Sequence, residues 1–312
     1  MTEPLGLLAM SYGTARGPGD VEAYYTHVRG GRRPPPELLD ELKGRYRAIG
    51  GRSPLIEITE AQVRGLEKVL NEDGGLPQVR AYHGMKHQLP YLEDAVAEMA
   101  NDGLSRAVGL VLAPHYSRLS VGEYIERVER AAGHGRMAFT FVRSYAIHPA
   151  FVSFVASRVE EALTRLPADI RAESPVVFSA HSLPARIVEE GDAYPQELRA
   201  TADAVAAELG LGRYVTAWQS AGRTGEPWLG PDLIDVLREL AAGGARGAVS
   251  CPVGFVSDHL EVLYDVDVEA QRAAREVGLT LVRTESPNDD PAFLAALARV
   301  IRDHLQEKGR HT

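Results

Sequence analysis
The chain has 312 residues, 45% of them hydrophobic and 25% charged, a balance that suits two globular cores of about 150 residues each and excludes disordered, collagen-like and disulfide-stapled classes. A net charge of -9 argues against nonspecific nucleic-acid binding, so an anionic ligand needs a local cluster of cations. The single cysteine, Cys251, excludes an internal disulfide and an iron–sulfur cluster held by four cysteines of one chain, and fits a reducing compartment.

The N-terminal MTEPLGLLAMSYG carries too short an apolar run for a signal peptide, and no apolar stretch long enough for a transmembrane segment follows, so a cytoplasmic location is expected. Short aliphatic runs predict strands at 6–10, 79–82, 107–112, 138–142, 176–180, 214–218, 248–252 and 279–282. Apolar spacing of three to four residues predicts helices at 92–99, 123–132, 151–163, 198–209, 233–240 and 292–304. This alternation predicts an α/β fold with two Rossmann-like domains, each a four-stranded parallel sheet flanked by helices, over residues 1–147 and 148–312, the last helix able to pack back on the first domain.

The halves resemble each other, in order, at three places. LLAMSYGT against VFSAHSLP sets Tyr12 opposite His181, and HQLPYLEDAV against GEPWLGPDLIDV sets Pro90 and Tyr91 opposite Pro227 and Trp228. LVLAPHYSRLSVGEY against VSCPVGFVSDHLEVLY sets Pro114, Ser117 and Tyr124 opposite Pro252, Ser257 and Tyr264. Ligands of such sheets sit beyond the carboxyl ends of the strands, so Tyr12, His181 and the loops after Pro114 and Pro252 are expected to converge on one cleft, with Tyr12 and His181 on opposite faces of its ligand.

Nucleotide-binding and serine-hydrolase motifs are missing from the strand ends. Metal and proton chemistry stands there instead. His181 leaves an apolar strand directly into a turn, and DHLEVLYDVDVEAQ reads as the start of a helix with Glu261, Asp265 and Glu269 at i, i+4 and i+8 on one face. Carboxylates so spaced repel, and a divalent cation would relieve the repulsion; a solvated acidic face is the plainer reading. Cys251 lies on a strand and reads as packing. Arg29, Arg32, Arg33, Arg45, Arg47 and Arg52 form a basic segment able to meet carboxylates through bidentate pairs, a solvated loop being the plainer reading for Arg32, Arg33, Arg47 and Arg52.

SAHSLP, AWQS, PWLGPD, PVGF and DHLEVLYD together resemble the ferrochelatase family. MSYGT, YYTHVRGGRRP, LKGRYRAIGGRSPL, GMKH and LAPHYS resemble its Gram-positive-type branch, which uses coproporphyrin III. The resemblance covers nearly the whole chain and implies insertion of Fe²⁺, as a substrate, into a porphyrin on the route to haem. It implies an inner metal site of His181 and Glu261, both catalytic, and an acidic line through Asp265 and Glu269 able to take Mg²⁺ as an outer ion. It also implies Tyr12 on the opposite porphyrin face, and Arg29, Arg45, Tyr46, Ser53 and Tyr124 holding the macrocycle and its carboxylates. Two positions depart from the pattern: Gly30 stands where a second Arg often follows Arg29, and Ala15 replaces a frequent Pro. No permanently bound cofactor is expected, the protein is expected to be a monomer, and its product would pass by transient contact to a downstream haem-forming enzyme. A protoporphyrin IX ferrochelatase, a cobalt or nickel tetrapyrrole chelatase, and a two-domain tetrapyrrole-binding protein without chemistry are the alternatives, since histidine with carboxylates does not by itself select iron.

Overall fold
The aliphatic runs pair into two four-stranded sheets, parallel throughout, in a computed structural model that describes residues 3–72, 74–222 and 224–310. Strands β1 (Leu5–Ser11), β2 (Val79–Met85), β3 (Arg106–Val111) and β4 (Ala138–Val142) lie in the order β2-β1-β3-β4. Strands β5 (Val176–His181), β6 (Tyr214–Gln219), β7 (Gly247–Cys251) and β8 (Thr280–Arg283) lie in the same permutation, β6-β5-β7-β8. The similarity of the halves is thus a repeat of topology as well as of sequence. Central strands β1 and β7 are buried along their whole length, as helices on both faces of a parallel sheet require.

Helices α1 (Val21–Val28), α2 (Pro36–Ala48) and α3 (Leu55–Glu72) fill the connection from β1 to β2, where no element was predicted. The apolar periodicity of α1 and α2 is weak. The first buries only Val21, the second only Leu39 and Tyr46, and the buried face of α3 includes Thr59 and Gln62 among its aliphatic residues. Helices α4 (Leu92–Asn101) and α5 (Glu123–Arg136) complete the first half. In the second half, α6 (Pro149–Thr164) and α7 (Ala168–Arg171) precede β5, and α8 (Arg186–Glu189) and α9 (Tyr194–Leu209) follow it. Helices α10 (Leu233–Ala242), α11 (Gln271–Glu276) and α12 (Pro291–Gly309) complete the chain. Two segments wind as π-helix, Arg118–Gly122 before α5 and Val262–Ala270 before α11, at corresponding places in the two halves.

The largest buried cluster joins both sheets: Leu7 and Val108 of the first and Phe178 and Val249 of the second share it with Leu66 on α3, Phe151 on α6 and Phe293 on α12. Helix α12 packs on α3 and α6, so the last helix bridges back to the first half. Phe293 is fully buried, its ring 5.3 Å from that of Phe154. Replacing Phe293 with Ala removes this packing and is expected to cost about 3–5 kcal/mol, read as a lower urea midpoint with an unchanged slope.

Candidate active site
In each sheet the strand order reverses beside the first strand of the half, the place where such sheets leave a crevice at their carboxyl ends. Tyr12 directly follows β1, and His181 is the last residue of β5. Both line one cleft of about 360 Å³, shared by the two halves, with Lys86, Tyr124, Trp228, His259 and Glu261 on its walls. The close approach that brings the loop after β7 against β5 needs glycine at 254, where an added Cβ would fall 2.8 Å from the Cα of Ala180.

Glu261 sits between two imidazoles. The Nε2 atoms of His181 and His259 lie 3.5 Å from its two carboxylate oxygens. Each ring is oriented from behind: His181 Nδ1 donates to the Ser182 carbonyl, and His259 Nδ1 donates to the Ser257 carbonyl at 3.1 Å. The Tyr194 hydroxyl donates to the His181 carbonyl at 3.0 Å, fixing the strand end itself. With both Nδ1 hydrogens committed to carbonyls, the Nε2 lone pairs and a carboxylate converge, and only a proton or a cation satisfies all three. The titration behaviour agrees. Burial alone would raise the Glu261 pKa, yet His181 and His259 hold it well below the usual carboxylate range. Burial alone would lower the His181 pKa, yet Glu261 and the Ser182 carbonyl raise it. About a third of each side chain stays open to the cleft, 32% for His181 and 36% for Glu261, so a ligand can reach them.

From Glu261 the carboxylates run along the π-helix rather than the α-helix that the spacing suggests. In an α-helix a four-residue step overshoots one turn by about 40°, whereas a winding with i→i+5 bonds needs more than four residues per turn. The four-residue steps from Glu261 to Asp265 and Glu269 therefore fall short of a turn instead of overshooting it. Asp265 is buried, and its pKa is pushed up to about 6 by that burial and by the charge of Glu261, against the Ser220 hydroxyl and the Arg45 guanidinium. Ser220 donates to it from a left-handed backbone conformation with φ 61, rare for a residue other than glycine.

Arg45, expected to hold porphyrin carboxylates, is engaged by carboxylates of the protein itself. Its guanidinium bonds Asp265 and Glu41, each at 3.2 Å, and lies 5.1 Å over the Tyr264 ring. A buried carboxylate beside two others demands a counter-ion, and Arg45 is the one that reaches it. Ser53 also stands apart from the cleft lining: it is buried, and its hydroxyl accepts the Leu55 amide hydrogen at 3.4 Å at the start of α3. Arg29 ends α1, 5.7 Å over the Tyr25 ring, with its Nε buried and unpartnered. Tyr46 lines the cleft and pins the loop after β1, sharing a 2.7 Å hydrogen bond with Thr14 and accepting the Ala15 amide hydrogen at 3.2 Å.

Two cleft groups escaped the sequence reasoning. His259 is one, although DHLE places it two residues from Glu261. Lys86 is the other; its ammonium pairs with Glu123 and lies 5.9 Å from the Tyr12 ring centroid and 5.4 Å from that of Tyr124.

A family model described as Ferrochelatase matches residues 4–305. The chain is 47% identical over 308 residues to the coproporphyrin III ferrochelatase of Bacillus subtilis (strain 168), covering 98% of each chain. It is 46% identical over 310 residues to the coproporphyrin III ferrochelatase of Geobacillus kaustophilus (strain HTA426), again covering 98% of each. Among solved structures it is similar to SirB from Bacillus subtilis with Fe3+, with a TM-score of 0.61 at 11% identity over 97% of this chain and 96% of that one. It is also similar to CbiX, the terminal enzyme for biosynthesis of siroheme in denitrifying bacteria, with a TM-score of 0.56 at 14% identity over 96% of this chain and 98% of that one. At such identities the structural likeness concerns the fold alone.

Because Glu261 is what raises the His181 pKa, Glu261→Gln leaves burial as the dominant influence and is expected to move the His181 titration to lower pH. An NMR pH titration of the His181 ring protons checks this, and an unmoved midpoint refutes the pairing.

Proposed function
The chain belongs to the ferrochelatase family, and from that premise we infer that it inserts ferrous iron into coproporphyrin III on the route to haem. The observation that carries the reading is the carboxylate of Glu261 between two oriented imidazoles, in a cleft to which both halves contribute. Metallation exchanges two pyrrole N–H protons for Fe²⁺, so the site needs a proton acceptor and ligands that hold iron loosely. Imidazole nitrogen and carboxylate oxygen do both, whereas a thiolate would trap the metal. Cys251 is buried in the core cluster, with its pKa pushed up to about 12 by burial, and stays a thiol.

His181 and Glu261 receive the iron beside the ring and take up the displaced protons, with His259 as the second imidazole on the carboxylate. Tyr12, exposed into the cleft, stands on the opposite face of the macrocycle, and Tyr46 and Tyr124 line its edge. Arg29, with an unpartnered buried Nε, is the cation for a porphyrin carboxylate. Asp265 and Glu269 pass iron inward as weak, fast-exchanging hard ligands. The same oxygens fit Mg²⁺ by their chemistry, as hard carboxylate ligands on one helical segment, and the ion would supply positive charge beside the buried Asp265. The proposal extends to a cytoplasmic monomer that hands its product to a haem-forming enzyme by transient contact. In support, no helix among the described residues is long and apolar enough to cross a membrane.

Anaerobic mixing of the protein with Fe²⁺ and either coproporphyrin III or protoporphyrin IX, followed by the Soret band, is expected to metallate coproporphyrin III faster; preference for the other porphyrin or for Co²⁺ or Ni²⁺ overturns the assignment. Glu261→Gln should lower kcat by about 100-fold or more as base and ligand are lost together. Asp265→Asn and Arg45→Ala should both act on the apparent KM for iron, and Arg29→Ala on the KM for porphyrin, as loss of binding without loss of chemistry requires. Wild-type behaviour of Asp265→Asn at limiting iron would reduce the acidic line to a solvated face.

A further inference from the structure
The matched serines of the internal repeat, Ser117 and Ser257, have no part in the chemistry above, yet both are buried. Each is bonded by a side chain from the opposite half. Ser117 Oγ donates to Asp192 at 2.9 Å, and the same carboxylate oxygen accepts the Arg118 amide hydrogen at 2.8 Å. Ser257 Oγ donates to Gln62 Oε1 at 3.2 Å, and Gln62 Nε2 donates to the carbonyls of Val256 at 2.9 Å and Asn288 at 2.7 Å. The loop after the third strand of each half is thus tied down by its partner half.

Gln62 is fully buried on α3, where an aliphatic side chain would ordinarily pack; two of the bonds above go to the loop that carries His259 and Glu261, and the third goes to Asn288 in the loop after β8. Moreover, the Ser257 carbonyl is the acceptor that orients His259, so a continuous chain of contacts runs from Gln62 through Ser257 and His259 to Glu261. We infer that Gln62 is a positioning residue: it sets the direction of the His259 imidazole and hence of the Glu261 carboxylate, and makes that geometry depend on the seating of the two halves. This rests on the reading of His259 and Glu261 as part of the iron site.

Gln62→Met keeps the length of the side chain and removes its donors and its carbonyl. It is expected to lower kcat for iron insertion about tenfold to 100-fold, the usual cost of losing an outer-shell orienting bond, with the KM for coproporphyrin III within about twofold of wild type. Ser257→Ala, which deletes one bond and leaves the backbone carbonyl, is expected to shift the same parameter less, and it decides the matter if Gln62→Met does not fold. A readout independent of turnover is the imidazole ¹⁵N spectrum of His259: wild type shows one tautomer with hydrogen on Nδ1, and Gln62→Met mixes the two. Wild-type kcat in both folded variants, or a raised porphyrin KM with kcat unchanged, overturns the inference. So does an unmixed His259 tautomer in Gln62→Met, even if the wild-type protein metallates nothing and the functional reading has failed separately.

Discussion
The structure turns on one carboxylate held between two imidazoles whose far nitrogens are already committed to backbone carbonyls. Glu261 cannot leave its place without leaving two ring nitrogens unpartnered in the cleft wall, and its charge there calls for positive charge among the three groups. A proton or a cation meets that demand. The opposed pKa shifts of His181 and Glu261 express the same constraint: burial opposes each charge, and the partner restores it.

Further along the π-helix the same problem is solved differently. Asp265 is buried next to Glu261, and burial and that charge push its pKa up to about 6; a guanidinium from α2 and a hydroxyl held in an unusual backbone conformation work against the shift. The π winding carries all three carboxylates along one segment, with Glu261 at its start.

The repeat gives the cleft its walls. Two halves of the same strand order place their crevices face to face, so Tyr12 and His181 arrive at the same cleft from equivalent strand ends. A shared hydrophobic core through α3, α6 and α12 joins the halves, and buried polar contacts cross between them at the loops that carry the site. Residues far from the chemistry can therefore control its geometry.

Much of this was legible in the amino-acid order. Unbroken aliphatic runs give buried parallel strands wherever they occur, so both sheets followed from local pattern, as did the strand-end position of His181 and the common face of Glu261, Asp265 and Glu269. Helices α1 and α2 were not legible, because they bury too little for periodicity to register, and α3 hid its stripe behind Thr59 and Gln62. The partners of Arg45, Ser53 and Gln62 are tertiary facts. Arg45 meets Asp265 across 220 positions, and Gln62 meets Ser257 across 195. Residue types and their local spacing therefore determined the fold and carried the family resemblance, while folding alone decided which charges neutralise each other, His181 and Glu261 included, and which polar groups orient the site, because hydrogen bonds and ion pairs form between neighbours in space that the linear order does not specify.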